Sequence, residues 1–121
     1  MLFGVFLILY SQAAIIQSCP RQCRCDPLKD RVFCHSRGLI KIPKNIPRDT
    51  TQLFLQDNKL QNSDELDIEL SKLTRLQKLM IYNNNLERIP KINSLYLRKL
   101  KIDSNRYVYQ LVNSIRNTTY T

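Results

Sequence analysis

The chain has 121 residues, 24% of them charged, and 19 Lys or Arg against 10 Asp or Glu give it a formal charge of +9. That length holds one modest domain and no second core, while a single histidine, no Gly-rich phosphate loop and no nucleophile motif argue against an enzyme or a cofactor. The charge favours acidic partners such as sulfated glycans, anionic surfaces or acidic proteins, and the lack of an aromatic-interleaved basic motif argues against nucleic acid.

The opening "MLFGVFLILYSQAAIIQS" carries no charged side chain. Its apolar run, Leu2 to Tyr10, has the length of a signal-peptide core and is too short to span a bilayer. Ser11 and Ala13 fit a cut after Ala13, and Ser18 fits a cut next to Cys19. No Lys or Arg precedes the core, and a buried N-terminal strand is the alternative. Residues 1–18 are therefore expected to be a signal peptide. No other stretch is apolar enough to anchor the product, so a secreted protein without a membrane span is expected.

The next segment, 19–48, holds all four cysteines, spaced C-x3-C-x-C-x8-C. Zinc knuckles and redox motifs both use C-x-x-C, which is absent. In an oxidising compartment four such cysteines read as two disulfides, and counting alone leaves three pairings open. His35 beside Cys34 reads as a surface histidine rather than a ligand. From Arg21 to Arg48 eight basic residues face only Asp26 and Asp30. Arg21, Arg24 and Arg31 are thus candidates for binding a sulfated glycan, against the alternative of a solvated basic face.

Three segments then align without gaps on L-x-x-L-x-L-x-x-N-x-L. Their asparagines are Asn58, Asn84 and Asn105, spaced 26 and then 21 residues apart. Thr50 fills the first leucine position of the first copy, and Tyr107 the last position of the third. A short strand such as 79–81 would send alternate side chains inward and outward. The leucine positions would be buried against neighbouring repeats, since no repeat has a core of its own. The asparagine amides would bond backbone groups that water cannot reach after the strand turns. The alternative, turn asparagines between amphipathic helices, does not explain three matches in one frame.

Between the first two copies, Leu66, Leu70 and Leu73 have helix-like spacing, predicting a short helix or 3₁₀ turn. Between the second and third, Pro90 predicts an extended run. The first repeat has a flank that no earlier repeat covers. A cysteine-tied knot with "RVFC" as an added strand would cap it. The third has an open flank around Leu100, Ile102, Val108 and Leu111, and 109–121 reads as a partial repeat or tail.

From Cys19 to about Val108 the chain resembles the N-terminal cysteine cap and first repeats of extracellular leucine-rich repeat proteins. The 26-then-21 step and the "NNNLERIP" ending resemble small leucine-rich repeat proteoglycans, particularly the podocan-like branch. No Ser-Gly dipeptide is present to carry a glycosaminoglycan chain. The resemblance implies an α/β solenoid with a short parallel sheet on its concave face, a cap over 19–48, three repeats over 49–108 and an open C-terminal end. It also implies disulfides joining Cys19 to Cys25 and Cys23 to Cys34.

In that fold the outward strand positions line the concave face, where family members bind protein ligands. They fall in three columns: Gln52, Lys78 and Lys99; Phe54, Met80 and Lys101; Gln56, Tyr82 and Asp103. Phe54, Met80 and Tyr82 would make an apolar patch beside lysines, suited to a protein interface; scattered exposed residues are the plainer alternative. Asn117 begins the only N-x-T sequon, a candidate for glycosylation. The expected function is a secreted extracellular-matrix binding protein, with collagen, a growth factor or a receptor as partner and heparan sulfate as a further candidate. The competing expectation is part of an adhesion or innate-immune receptor.

Overall fold

A computed structural model describes residues 19–26, 28 and 30–106. The expected leader (1–18), the tail (109–121) with the Asn117 sequon, Tyr107, Val108 and Leu111 lie outside the described residues.

Five short strands and one helix follow in chain order: β1 (Arg24–Asp26), β2 (Arg31–Phe33), β3 (Gln52–Phe54), α1 (Asp64–Ser71), β4 (Lys78–Met80) and β5 (Lys99–Lys101). The strands form one sheet in sequence order. β1 pairs antiparallel with β2, and every later pair is parallel. Three-residue strands are too short to stand alone, so their stability comes from stacking in register. Val32, Leu53, Leu79 and Leu100 lie opposite one another across the four parallel strands. The first three are buried, and Leu100 packs against the same core half-buried.

The strand expected over 79–81 begins one residue earlier, at Lys78. The ladder nevertheless runs on past it, because Leu55 N–H donates to the Met80 carbonyl and Ile81 N–H to the Lys101 carbonyl. Ile81 is fully buried, so the inward and outward alternation holds.

After each of β2 to β5 the chain turns through a residue in the left-handed region: Ser36, Asp57, Asn83 and Ser104. Small polar side chains tolerate that conformation best. In the three repeats the inward asparagine comes one residue later. Asn58, Asn84 and Asn105 are all buried. Asn84 donates to the carbonyls of Leu55, Ile81 and Tyr82 and accepts from Leu60 N–H at 3.0 Å. Asn105 repeats the pattern one repeat on, with Ile81, Ile102, Asp103 and Leu86. Asn58 reaches back into the cap, accepting from both Arg37 and Leu39 N–H. Gly38, between them, has φ +66, which lets both amides converge on one oxygen.

The cap is tied by Cys19–Cys25 and Cys23–Cys34. Cys34 is fully buried against the first repeat. The "RVFC" strand joins β3 as expected, but β1 lies outside it, so β1 forms the N-terminal edge of the sheet.

On the opposite side, α1 starts at Ser63, whose side chain accepts from Leu66 N–H at 3.0 Å. Asp64, Glu65 and Asp67 then place negative charge in the first turn, where the helix dipole favours it. Leu66, Leu70 and Leu73 are buried beneath. Residues 87–96 form no helix or strand, as Pro90 predicts. Their backbone is held by side chains of the preceding repeat: Asn62 accepts from Glu87 and Arg88 N–H, and Asp67 from Lys91 N–H.

Candidate protein-binding face

Outward side chains of the five strands fall into transverse rows, because the pairing has no slippage. The middle row runs Arg24, Phe33, Phe54, Met80 and Lys101. The row at the strand starts runs Asp26, Arg31, Gln52, Lys78 and Lys99. Beyond the strands, the ladder bonds of Ser36, Asp57 and Asn83 N–H bring His35, Gln56, Tyr82 and Asp103 alongside one another.

The middle row is a built contact. The Phe33 and Phe54 rings stack with centroids 4.8 Å apart and planes 11° from parallel. The Arg24 guanidinium lies 4.4 Å above the Phe33 ring, and the Lys78 ammonium 5.9 Å from the Phe54 ring. A second pair sets Lys101 4.6 Å from the Tyr82 ring. Cation, ring, ring and cation thus follow one another across four strands, the cations attracted by the negative ring faces and the rings to each other by stacking. The rings are half-buried, fixed from below and reachable from above. His35 meets Phe33 edge-on at 6.1 Å, which sets it beside this face.

The nine residues expected on the concave face therefore share one side of the sheet, with Phe33 beside them. Phe33 is the residue that reading the sequence missed, since it sits within the cysteine knot. Aligning "RVFCHSRGL" with "TQLFLQDNKL" offers the signal: Phe33 falls on Phe54, and Arg37 on Asn58.

The three cap arginines do not form one cluster. Arg24 and Arg31 meet at the Phe33 ring, and Arg31 also pairs with Asp26 at 2.9 Å. Arg21 lines a separate cleft with Lys41, Lys44 and Glu65. Among the described residues, no group of three or more His, Cys, Asp or Glu could hold a metal ion. No helix among them is long and apolar enough to cross a membrane.

No protein-family model matches the chain. Over 83 residues it is 34% identical to human leucine-rich repeat transmembrane protein FLRT2, covering 69% of this chain and 12% of that protein. It is 28% identical over 110 residues to mouse reticulon-4 receptor-like 1, covering 88% of this chain and 24% of that one. Mouse leucine-rich repeat and transmembrane domain-containing protein 1 is 37% identical over 60 residues, with coverage of 47% and 17%. The chain thus spans between 12% and 24% of the length of these relatives. The relatives are leucine-rich repeat proteins of transmembrane and receptor-like kinds, and their names describe no enzyme. With the largely parallel sheet and the N-terminal disulfides, they fit a leucine-rich repeat fold for this chain.

Proposed function

We propose that the outward sheet face is the protein-binding surface of an extracellular, non-catalytic leucine-rich repeat protein, with a cap over 19–48 and three repeats over 49–108. The observation that carries this reading is the Arg24–Phe33–Phe54–Lys78 stack. Aromatic rings already held in place lose little freedom when a partner covers them, and flanking cations add orientation. Of the two settings, an adhesion or receptor ectodomain is favoured over a podocan-like matrix protein, because the relatives named above are transmembrane and receptor-like. A secreted matrix role with collagen or a growth factor is the second setting.

The test is a panel of purified receptor ectodomains, growth factors and collagens probed with the tagged, disulfide-intact chain. Phe54→Asp should abolish the binding found, while Ile68→Asp, on the exposed side of α1, should leave it unchanged. Equal effects of the two substitutions would remove the sheet face as the binding surface. Whether the partners found are receptors or matrix components separates the two settings.

A further inference from the structure

We infer that the cleft at the starts of β3, β4 and β5 is an anion subsite that takes a carboxylate from an acidic segment of the protein partner; this rests on the protein-binding reading of the adjoining face. The cleft has a volume of about 290 Å³ and is lined by Gln52, Gln77, Lys78, Arg98 and Lys99. It has three cations, two amides and no carboxylate. Lys78 and Lys99 stand directly opposite each other on neighbouring strands, where like charges are unfavourable. Arg98 Nη2 donates to Gln77 Oε1 at 2.9 Å, which fixes the guanidinium at the cleft wall.

None of these three cations forms an ion pair among the described residues, whereas Arg31, Lys72 and Arg88 each hold a carboxylate. Three cations lining one cleft with no carboxylate beside them favour a compensating anion. The other basic cleft lacks this character, because Glu65 lines it beside Arg21, Lys41 and Lys44 and lies 3.8 Å from Lys44.

A neighbouring cleft indicates what carries the anion. It shares Gln77 and Arg98 and is otherwise lined by Leu95, Tyr96 and Leu97. Leu95 is 98% exposed and Tyr96 63%. A cationic cleft beside an exposed apolar ledge suits a peptide with alternating acidic and apolar side chains. A sulfated polysaccharide would gain nothing from Leu95 and would need a longer track of cations.

The experiment uses the full 121-residue chain and a fluorescein-labelled peptide of alternating Glu and Leu, read by anisotropy at physiological ionic strength. The double variant R98Q/K99Q should bind it roughly tenfold more weakly, with a shallower salt dependence. The same peptide with Gln for Glu should not bind the wild type. R21Q/K41Q should keep wild-type affinity. Both variants alter exposed side chains, and matching thermal melts establish that they fold. Wild-type affinity in R98Q/K99Q, or failure of the Glu–Leu peptide to bind at all, overturns the inference. So does a loss confined to heparin oligosaccharide, with peptide binding intact, which would assign the cleft to a glycan. Peptide binding that survives Phe54→Asp while R98Q/K99Q loses it supports the cleft even where the ectodomain panel rejects the stacked rings.

Discussion

One amide side chain in the middle of the sheet satisfies four backbone groups. Asn84 donates to three carbonyls and accepts from Leu60 N–H, and its partners belong to two different repeats. Leucine would fill the space but leave Leu60 N–H buried without a partner, at about 1–3 kcal/mol. It would also take one of two donors from each of the Leu55, Ile81 and Tyr82 carbonyls, which Asn58, Asn105 and Asp57 N–H also reach. Aspartate would offer only acceptors to three carbonyls. Only a side chain with both a donor and an acceptor closes the turn, which is why the same residue returns at Asn58 and Asn105. Asn84→Ala should therefore destabilise the chain by about 1–3 kcal/mol, measured by urea unfolding against the wild type. Asn85→Ala, an exposed neighbour, should change stability by less than about 0.5 kcal/mol. Similar small losses from both substitutions would mean that water can take the place of Asn84 at Leu60 N–H.

Between elements, the coupling depends on a carboxylate. Asp67 sits in the first turn of α1, nine-tenths buried, and holds Arg88 through Nη2 at 2.7 Å and Lys91 N–H at 2.9 Å. It thereby fastens the helix of one repeat to the extended segment of the next. The Arg88 hydrogen bond holds the Asp67 carboxyl below its usual value of 3.8, outweighing the burial that pushes the other way, and Lys91 N–H adds to the lowering. A carboxyl lowered by folding stabilises the folded state above its unfolded value, and that stabilisation fades as pH falls through the folded one. Asp67→Asn should lower the melting temperature by a few degrees at neutral pH. The gap from wild type should hold constant down to about pH 5 and narrow below 3.8. A gap that does not change with pH would show that shape, not charge, does the fastening. The same contrast explains what could be read in advance. The leucine frame, α1 and the Pro90 segment follow from periodicity and backbone limits, and were legible. The Asp67–Arg88 link was not, because it spans 21 residues and obeys no spacing rule. β1 was hidden because its three residues carry a cysteine and no apolar alternation. Phe33 was hidden because its neighbours read as a disulfide knot. Both emerge only once the strands are placed side by side, and so do the Phe33–Phe54 stack and the cleft at Arg98.

Across the whole molecule, stability is passed from neighbour to neighbour. The described strands pair only in sequence order, β1 to β2 through to β5, so each repeat depends on the one before it. The cap is where that chain of dependence begins. Val32 and Cys34 are buried over the first repeat, and Asn58 spends its oxygen on cap amides. Among its described residues the cap has no helix; Val32, Cys34, Ile42 and Ile46 anchor it to the core, and the two disulfides tie it together. They close loops of sequence separation 6 and 11, each contributing about 2–3 kcal/mol on the chain-entropy account. A domain of this size has a total stability of about 5–10 kcal/mol, so losing both crosslinks removes much of it. Reduction should release the cap first, then strip Leu53 and Leu55 of their cover. Hydrogen exchange followed by mass spectrometry, with and without dithiothreitol, reads this directly. Peptides covering 31–36 and 52–57 should lose protection on reduction at least tenfold more than those covering 78–83, which corresponds to about 1.4 kcal/mol. Equal loss across all three would mean the repeats open as a single unit. Unchanged protection at 31–36 would mean that packing alone holds the cap, leaving the disulfides to matter only during folding.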